Sequence, residues 1–202
     1  MTGPTHKQYS VSLAYLTVIL IYMLDMTQIN YYLALMIVLM TSKLGALFPD
    51  LDHDWSNIGN KTVTTKVINT LIHVTGGKHR SWQTHSIDIC AVFTVGAYLL
   101  PRYLYSKSIL SEVDKEVLSI LMIGFASGWI SHMFSDMLTS AGVRVVFFIN
   151  KKVRLVPKKI GSLKFNTGHE WEAFNYKFIK LLNILLGIVC ITYPLFYKGI
   201  IK

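Results

Sequence analysis

Five long apolar runs, separated by polar segments, dominate the pattern of the 202-residue chain. A helix needs about 20 mainly apolar residues to cross a bilayer, and each run meets or approaches that length. Five such runs in so short a chain favour a multi-pass membrane protein over a soluble helical bundle. The predicted spans are Val11–Leu24 (extended back toward Gln8), Ile29–Phe48, Ser86–Tyr105, Val117–Leu138 and Phe178–Tyr197.

The segment between the second and third spans predicts an amphipathic helix rather than another span. Its apolar residues recur at helical spacing, and Gly76 and Gly77 provide a stop signal. A helix with a single apolar face is expected to lie at the membrane interface. The apolar positions are Val63, Val67, Ile68, Leu71 and Ile72.

Two runs rich in β-branched and aromatic residues flank Asn150 and Lys151, between the fourth and fifth spans. That pattern predicts a short β-hairpin centred on these two residues. The complete prediction is an all-α polytopic membrane protein with about five transmembrane helices, one interfacial amphipathic helix and this hairpin. The length suits a single domain, residues 1–202.

Composition supports the membrane assignment. Hydrophobic residues make up 52% and charged residues 15% of the chain, and the mean hydropathy is +0.43, whereas soluble proteins carry about 25% charged residues. Cys90 and Cys190 lie inside apolar runs, so we interpret them as packing residues and predict no disulfide framework. The first ten residues lack the features of a signal peptide, so the first apolar run is predicted to remain as an anchor.

The net charge of +9 is explained by its distribution between the two membrane faces. If the N-terminus is cytoplasmic, fifteen Lys and Arg residues lie on the cytoplasmic side and five on the other. The positive-inside rule therefore predicts a plasma (inner) membrane protein with a cytoplasmic N-terminus. The basic residues would also attract anionic lipid headgroups, and nucleic acid is not expected as a partner.

Histidines and acidic residues cluster at those ends of the predicted spans that share one membrane face. Successive spans alternate in direction, which brings the start of the first, third and fifth spans to the same face as the end of the second and fourth. One shared polar site explains this sidedness better than five unrelated local roles. The residues concerned are His6, Asp50, Asp52, His53, His79, Arg80, His85, His132, Asp136, His169 and Glu172.

Two motifs carry most of the chemistry. In "SHMFSD", His132 and Asp136 are four residues apart on one helix face, a spacing at which two side chains can hold one metal ion. The same pair is compatible with a buried polar network within a span. In "PDLDHD", Asp50 and Asp52 follow a helix C-terminus, where the helix dipole disfavours carboxylates. A bound cation would offset that cost.

Other acidic positions have two interpretations each. Asp88 lies one turn after His85. It either accepts the ring N–H of a metal-bound His85 or is an ordinary carboxylate in the first turn of a helix. In "TGHEWE", His169 and Glu172 are either ligands or neighbours of the cap of the incoming helix.

The donor set contains imidazole and carboxylate but no thiolate, which favours Zn²⁺, with Mn²⁺ or Fe as alternatives, over a closed cysteine-type zinc site. The number of donors suffices for one or two divalent ions, and two ions suit an in-line phosphoryl displacement. Asp50 is the candidate to orient or deprotonate a water, and Arg80 is the candidate to bind an anionic head group. The candidate ligands are His6, Asp52, His53, His79, His85, His132 and Asp136.

These motifs resemble the YdjM-like family of inner-membrane proteins, in the family's order and spacing. The matching segments are "THKQYS", "LGALFPDLDHDWS", "KHRSWQTHS", "GWISHMFSDMLTSAGV" and "FNTGHEWE". One departure is "HRSWQTHS", where the family usually has a glycine after the arginine. The resemblance implies a helical membrane protein with a metal-dependent hydrolase site built from the same His, Asp and Arg candidates. A weaker similarity, in the opening and "PDLDHD" segments, points to zinc-dependent phospholipase C.

The sequence therefore leads to the hypothesis of a membrane-bound hydrolase with a divalent metal at the cytoplasmic face. Its substrate would be an amphiphilic, anionic lipid or lipid-linked molecule with a phosphoester or related bond. The main alternative is a non-enzymatic membrane protein whose structural or sensory metal site recruits a cytosolic partner. A small transporter is less well supported, because the polar residues gather at one face whereas transporter sites lie near the membrane midplane.

Overall fold

The computed structural model describes residues 1–52, 62–75, 82–146, 149–157, 159–160, 163–164 and 167–197. Within them the chain is mainly helical, with a 3-10 turn at Pro49–Asp52. The helices are α1 (Gly3–Met23), α2 (Tyr31–Gly45), α3 (Val63–Val74), α4 (Trp82–His85), α5 (Ile87–Ser106), α6 (Glu112–Met137) and α7 (Glu170–Tyr197).

Four segments of the described chain are long and apolar enough to cross a membrane: Tyr31–Leu51 and the helices α5, α6 and α7. They correspond to the second to fifth predicted spans and confirm the helical membrane fold. The predicted first span is helix α1, which has 21 residues but is not among these four. Its first half contains polar residues such as Thr5, Lys7 and Gln8, which lower its mean hydropathy.

Helix α6 lies at the centre of the bundle and contacts α1, α2 and α5, while α7 packs against α1. Small residues allow α2 and α6 to approach closely. A Cβ atom at Gly128 would collide with the backbone of Ser42 and Ala46, and one at Gly45 would collide with the backbone of Phe125. This close contact positions the end of α2 beside the last turns of α6.

The predicted amphipathic helix is α3, which runs from Val63 to Val74 and has a capping box at its N-cap residue, Thr62. The side chains of Val63, Val67, Leu71 and Val74 form an exposed apolar face, as expected for a helix at the interface. On the other face, Asn69 donates a hydrogen bond to the Leu51 carbonyl at 2.6 Å. The helix thus packs on the 3-10 turn that carries Asp50.

The predicted β-hairpin is present as β1 (Val143–Val146) and β2 (Ile149–Val153). Val146 pairs with Ile149, so the strands are linked by two residues, the length that tight hairpins favour. Asn150 and Lys151 lie within β2 rather than between the strands. A second short antiparallel pair, β3 (Lys159–Ile160) and β4 (Leu163–Lys164), was not anticipated from the sequence pattern.

Candidate metal centre

Five of the candidate residues converge at one end of the helical bundle. They come from the start of α1, the 3-10 turn after α2, the end of α4 and the last turns of α6: His6, Asp50, His85, His132 and Asp136. The side chains of His6, His132, Asp136 and His85 are 0–3% exposed, whereas that of Asp50 is 22% exposed. The structure therefore brings together residues that the sequence places on one membrane face.

The nitrogen His132 Nε2 lies in the middle of this cluster. It is 3.2 Å from His85 Nε2, 3.7 Å from Asp136 Oδ2 and 3.8 Å from Asp50 Oδ1. His85 Nε2 is in turn 3.8 Å from Asp136 Oδ2 and 3.9 Å from Asp50 Oδ1. Tetrahedral zinc with bonds of 2.0–2.1 Å separates neighbouring ligand atoms by about 3.3 Å. The five separations range from 3.2 to 3.9 Å, so these atoms are close enough to approach a common ion.

His6 forms a second three-residue group with His132 and Asp136. Its ring stacks on that of His132, with centroids 3.7 Å apart and an interplanar angle of 15°. His6 Nε2 lies 3.6 Å from Asp136 Oδ1. His132 also belongs to the group with Asp50 and His85. Because a neutral imidazole offers a single lone pair, the two groups are alternative donor sets for one ion at His132 rather than separate sites for two ions.

A backbone carbonyl fixes the ring orientation of His132. The distance from His132 Nδ1 to the Ala46 carbonyl oxygen is 2.7 Å, and a carbonyl can only accept, so Nδ1–H donates. The lone pair is then on Nε2, the nitrogen that faces the other candidate ligands. Ala46 follows the last residue of α2, so this support depends on the close packing of α2 and α6.

His6 is oriented by the same kind of contact. Ser135 Oγ donates to the His132 carbonyl at 2.9 Å, so it accepts from His6 Nδ1–H at 2.6 Å. The remaining nitrogen, His6 Nε2, is buried and makes no hydrogen bond within the described part of the chain. A buried lone pair without a donor is costly, and coordination of a metal ion would satisfy it.

His85 is held by its neighbour in α4, Thr84, which α6 supports in turn. Its Nδ1 is 2.9 Å from the hydroxyl of Thr84, and the indole N–H of Trp129 donates to the Thr84 carbonyl at 3.1 Å. Asp88, one turn later, accepts from the backbone N–H of Ile89 at 2.9 Å. The sequence did not predict that Thr84, Ser135 and the Ala46 carbonyl would contact the ring nitrogens of these histidines. Serines, threonines and backbone carbonyls occur throughout the chain, and no sequence motif marks the ones that do so.

Charge also favours a cation at this position. The cluster brings two carboxylates and three imidazoles into a mostly buried volume, where carboxylate charge is costly unless cations and hydrogen-bond donors offset it. The amino nitrogen of Met1 donates to Asp136 Oδ1 at 2.7 Å, so that carboxylate already has one cationic neighbour. A divalent ion would offset the remaining charge, and the nitrogen and oxygen donors fit Zn²⁺, Mn²⁺ or Fe.

The remaining sequence candidates are either outside the described residues or bound elsewhere. Asp52 ends the 3-10 turn, but its side chain is not described. His53, His79 and Arg80 lie outside the described residues, so their predicted roles stay predictions. His169 is exposed just before α7. Glu172 belongs to neither metal-holding group; its carboxylate accepts hydrogen bonds from the backbone N–H and hydroxyl of Thr2 and from the backbone N–H of Gly168.

Comparison with known proteins gives two matches. The family model described as "YdjM inner membrane protein" matches residues 1–200. Over 158 residues the chain is 29% identical to the uncharacterized protein YvsG of Bacillus subtilis strain 168, an alignment that covers 77% of this chain and 78% of that protein. No solved structure matches.

Proposed function

The chain belongs to the YdjM inner membrane protein family, and we propose that it is a membrane-bound, metal-dependent hydrolase. The proposed reaction is cleavage of a phosphoester or related bond in a lipid or lipid-linked substrate. One observation carries the proposal, the convergence of the ring nitrogens of His85 and His132 with carboxylate oxygens of Asp50 and Asp136 at 3.2–3.9 Å.

In this proposal the residues divide by burial. His85, His132 and Asp136 are nearly inaccessible and hold the ion, and His6 supports it from the second group. A divalent ion at this position would supply Lewis-acid activation of water and of a phosphoryl oxygen. Asp50 is the one partly exposed member of the cluster, so it is the residue to orient the attacking water and accept its proton.

An apolar groove beside the cluster supports the choice of an amphiphilic substrate. A cavity of about 420 Å³ lies between α5 and α6, with Ile87, Ala91, Thr94, Ile130, Met133 and Met137 among the lining residues. Ile87 is two residues from His85, and Met137 follows Asp136 directly. A lipid whose chain lies in this groove would have its head group at the metal centre. A soluble substrate has no chain to bind there and would make no use of the groove.

The groove gives a prediction about chain length. Ala91→Phe should fill the groove and lower turnover of a long-chain phospholipid about tenfold to hundredfold, because a displaced chain misplaces the reacting bond. Val92→Phe is the matched control, since Val92 is exposed on the same helix but does not line the cavity. The measurement compares hydrolysis of long-chain and chain-free phosphodiesters in mixed micelles. Equal losses on both substrates would contradict a role in chain binding.

The proposed orientation, with the N-terminus and the metal centre at the cytoplasmic face of the inner membrane, comes from the distribution of basic residues. At that face, the metal centre would meet anionic headgroups. Membrane lipids are accordingly the proposed partners, and no nucleic acid is expected.

Asp50→Asn tests the proposed reaction directly. The detergent-purified variant should keep its bound metal, because His85, His132 and Asp136 remain, yet lose about 10²- to 10⁴-fold in phosphoester turnover. The control is Asp25→Asn. Asp25 is exposed and follows the far end of α1, and asparagine tolerates its positive φ of 48°. Metal content and hydrolysis are measured on the same samples.

Two results would count against the hydrolase. Wild-type protein without stoichiometric metal would remove its basis. Stoichiometric metal without metal-dependent hydrolysis of any lipid or chain-free phosphoester would favour the structural or sensory alternative instead.

A further inference from the structure

Glu172 is a buried acidic residue outside the metal-holding groups, in the first turn of α7. It is 5% exposed. Its Oε1 accepts hydrogen bonds from the Thr2 backbone N–H at 2.5 Å and from the Thr2 hydroxyl at 2.7 Å. Its Oε2 accepts from the backbone N–H of Gly168 at 2.7 Å. Both carboxylate oxygens therefore bind protein donors rather than facing the cluster of candidate ligands.

The partner of Glu172 leads directly to His6. Thr2 is the N-cap residue of α1, but its side chain makes no capping bond to that helix and is bound to Glu172 instead. The Thr2 carbonyl accepts from the His6 backbone N–H at 3.0 Å. One short chain of hydrogen bonds thus connects α7, through the first turn of α1, to a candidate metal ligand.

The first turn of α1 needs such an attachment. The first N–H groups of a helix have no partner within the helix, so its first turn depends on contacts made outside it. A carboxylate suits this position because it accepts several charge-assisted hydrogen bonds and complements the positive end of the helix dipole. Further along, Tyr9 donates to Asn175 at 2.9 Å and Ser12 to Asn183 at 2.5 Å, so α1 stays packed on α7 without Glu172.

We propose that Glu172 is a positioning residue that holds the first turn of α1 against α7 and thereby delivers His6 to the metal centre. This inference rests on the proposed function for the identity of the centre. The sequence left Glu172 as either a ligand or a neighbour of the cap of α7, and this proposal gives it a third role, support of α1.

Two measurements test the proposal. Glu172→Ala should speed amide hydrogen exchange of residues 2–6, because two donors of Thr2 lose their acceptor. It should also weaken zinc affinity about tenfold to hundredfold, the usual cost of removing a residue that supports a ligand. Glu172→Gln keeps the Oε1 acceptor and should restore part of both. Glu170→Ala, an exposed acid in the same helical turn, should change neither.

A double-mutant cycle distinguishes support from ligation. In a His6→Ala background, adding Glu172→Ala should cause little further loss of zinc affinity, because the residue it positions is already gone. Equal losses in both backgrounds, or unchanged exchange of residues 2–6, would overturn the proposal. If the wild type binds no zinc, the proposed function fails, while the exchange measurement still decides the role of Glu172.

Discussion

His132→Ala is expected to abolish stoichiometric metal binding. His132 is common to both metal-holding groups, and its Nε2 lies within 3.8 Å of donor atoms of His85, Asp136 and Asp50. Its replacement therefore removes a donor that both groups share. Replacing a residue that supports a ligand lowers metal affinity by up to about 100-fold. The loss in His132→Ala should be larger than this, and metal-dependent hydrolysis should disappear with the metal.

Metal content after size-exclusion chromatography in detergent is the measurement. His169→Ala is the control, because His169 is exposed and belongs to neither group, so it should retain full metal content. If His132→Ala does not yield a folded protein, His132→Gln provides a polar side chain of similar reach for the same measurement. A folded His132 variant with the metal content of the wild type would rule out the site.

Gly128→Ala is expected to cause the largest loss of stability among conservative changes. A Cβ atom at this position meets the backbone of Ser42 and Ala46, and backbone atoms cannot move aside as a flexible side chain can. The helices α2 and α6 must separate, at a cost of about 1–3 kcal/mol or more. Separation also moves the Ala46 carbonyl away from His132 Nδ1, so zinc affinity should fall together with the melting temperature.

Gly96→Ala is the matched control, since a Cβ atom at Gly96 would meet nothing within 4 Å. In this position alanine should leave the free energy of unfolding within about 1 kcal/mol of the wild type. Thermal unfolding in detergent, followed with a thiol-reactive dye at the buried Cys90 and Cys190, compares the two variants. Equal melting temperatures would show that the close contact between α2 and α6 carries no stability.

Hydropathy located the four helices that are long and apolar enough to cross the membrane, but not the ends of the helices. Helix α6 begins at Glu112 and α7 at Glu170, five and eight residues before the predicted spans. The reason is that helices continue beyond the apolar core where capping residues allow it. Ser111 and Asp114 form a capping box at the start of α6, which hydropathy does not register.

The alternation of spans predicts one shared face for the candidate residues, and five of those that the structure describes converge at one end of the bundle. The alternation could not show which of them meet. His85 and His132 are 47 residues apart in the sequence and 3.2 Å apart in space. Glu172, a candidate ligand by its position in the chain, instead binds Thr2 because the start of α1 packs beside the first turn of α7.

The sequence by itself determined the class of fold, the helices long and apolar enough to cross the membrane and the kind of donor at the candidate site. These properties follow from the length of the apolar runs, the helical spacing of residues and the chemistry of their side chains. Each of these can be read from a short stretch of the sequence. Only the tertiary structure decided that the Ala46 carbonyl and Ser135 orient His132 and His6. Such contacts depend on the distance and rotation between helices, which are set by how small residues pack across an interface.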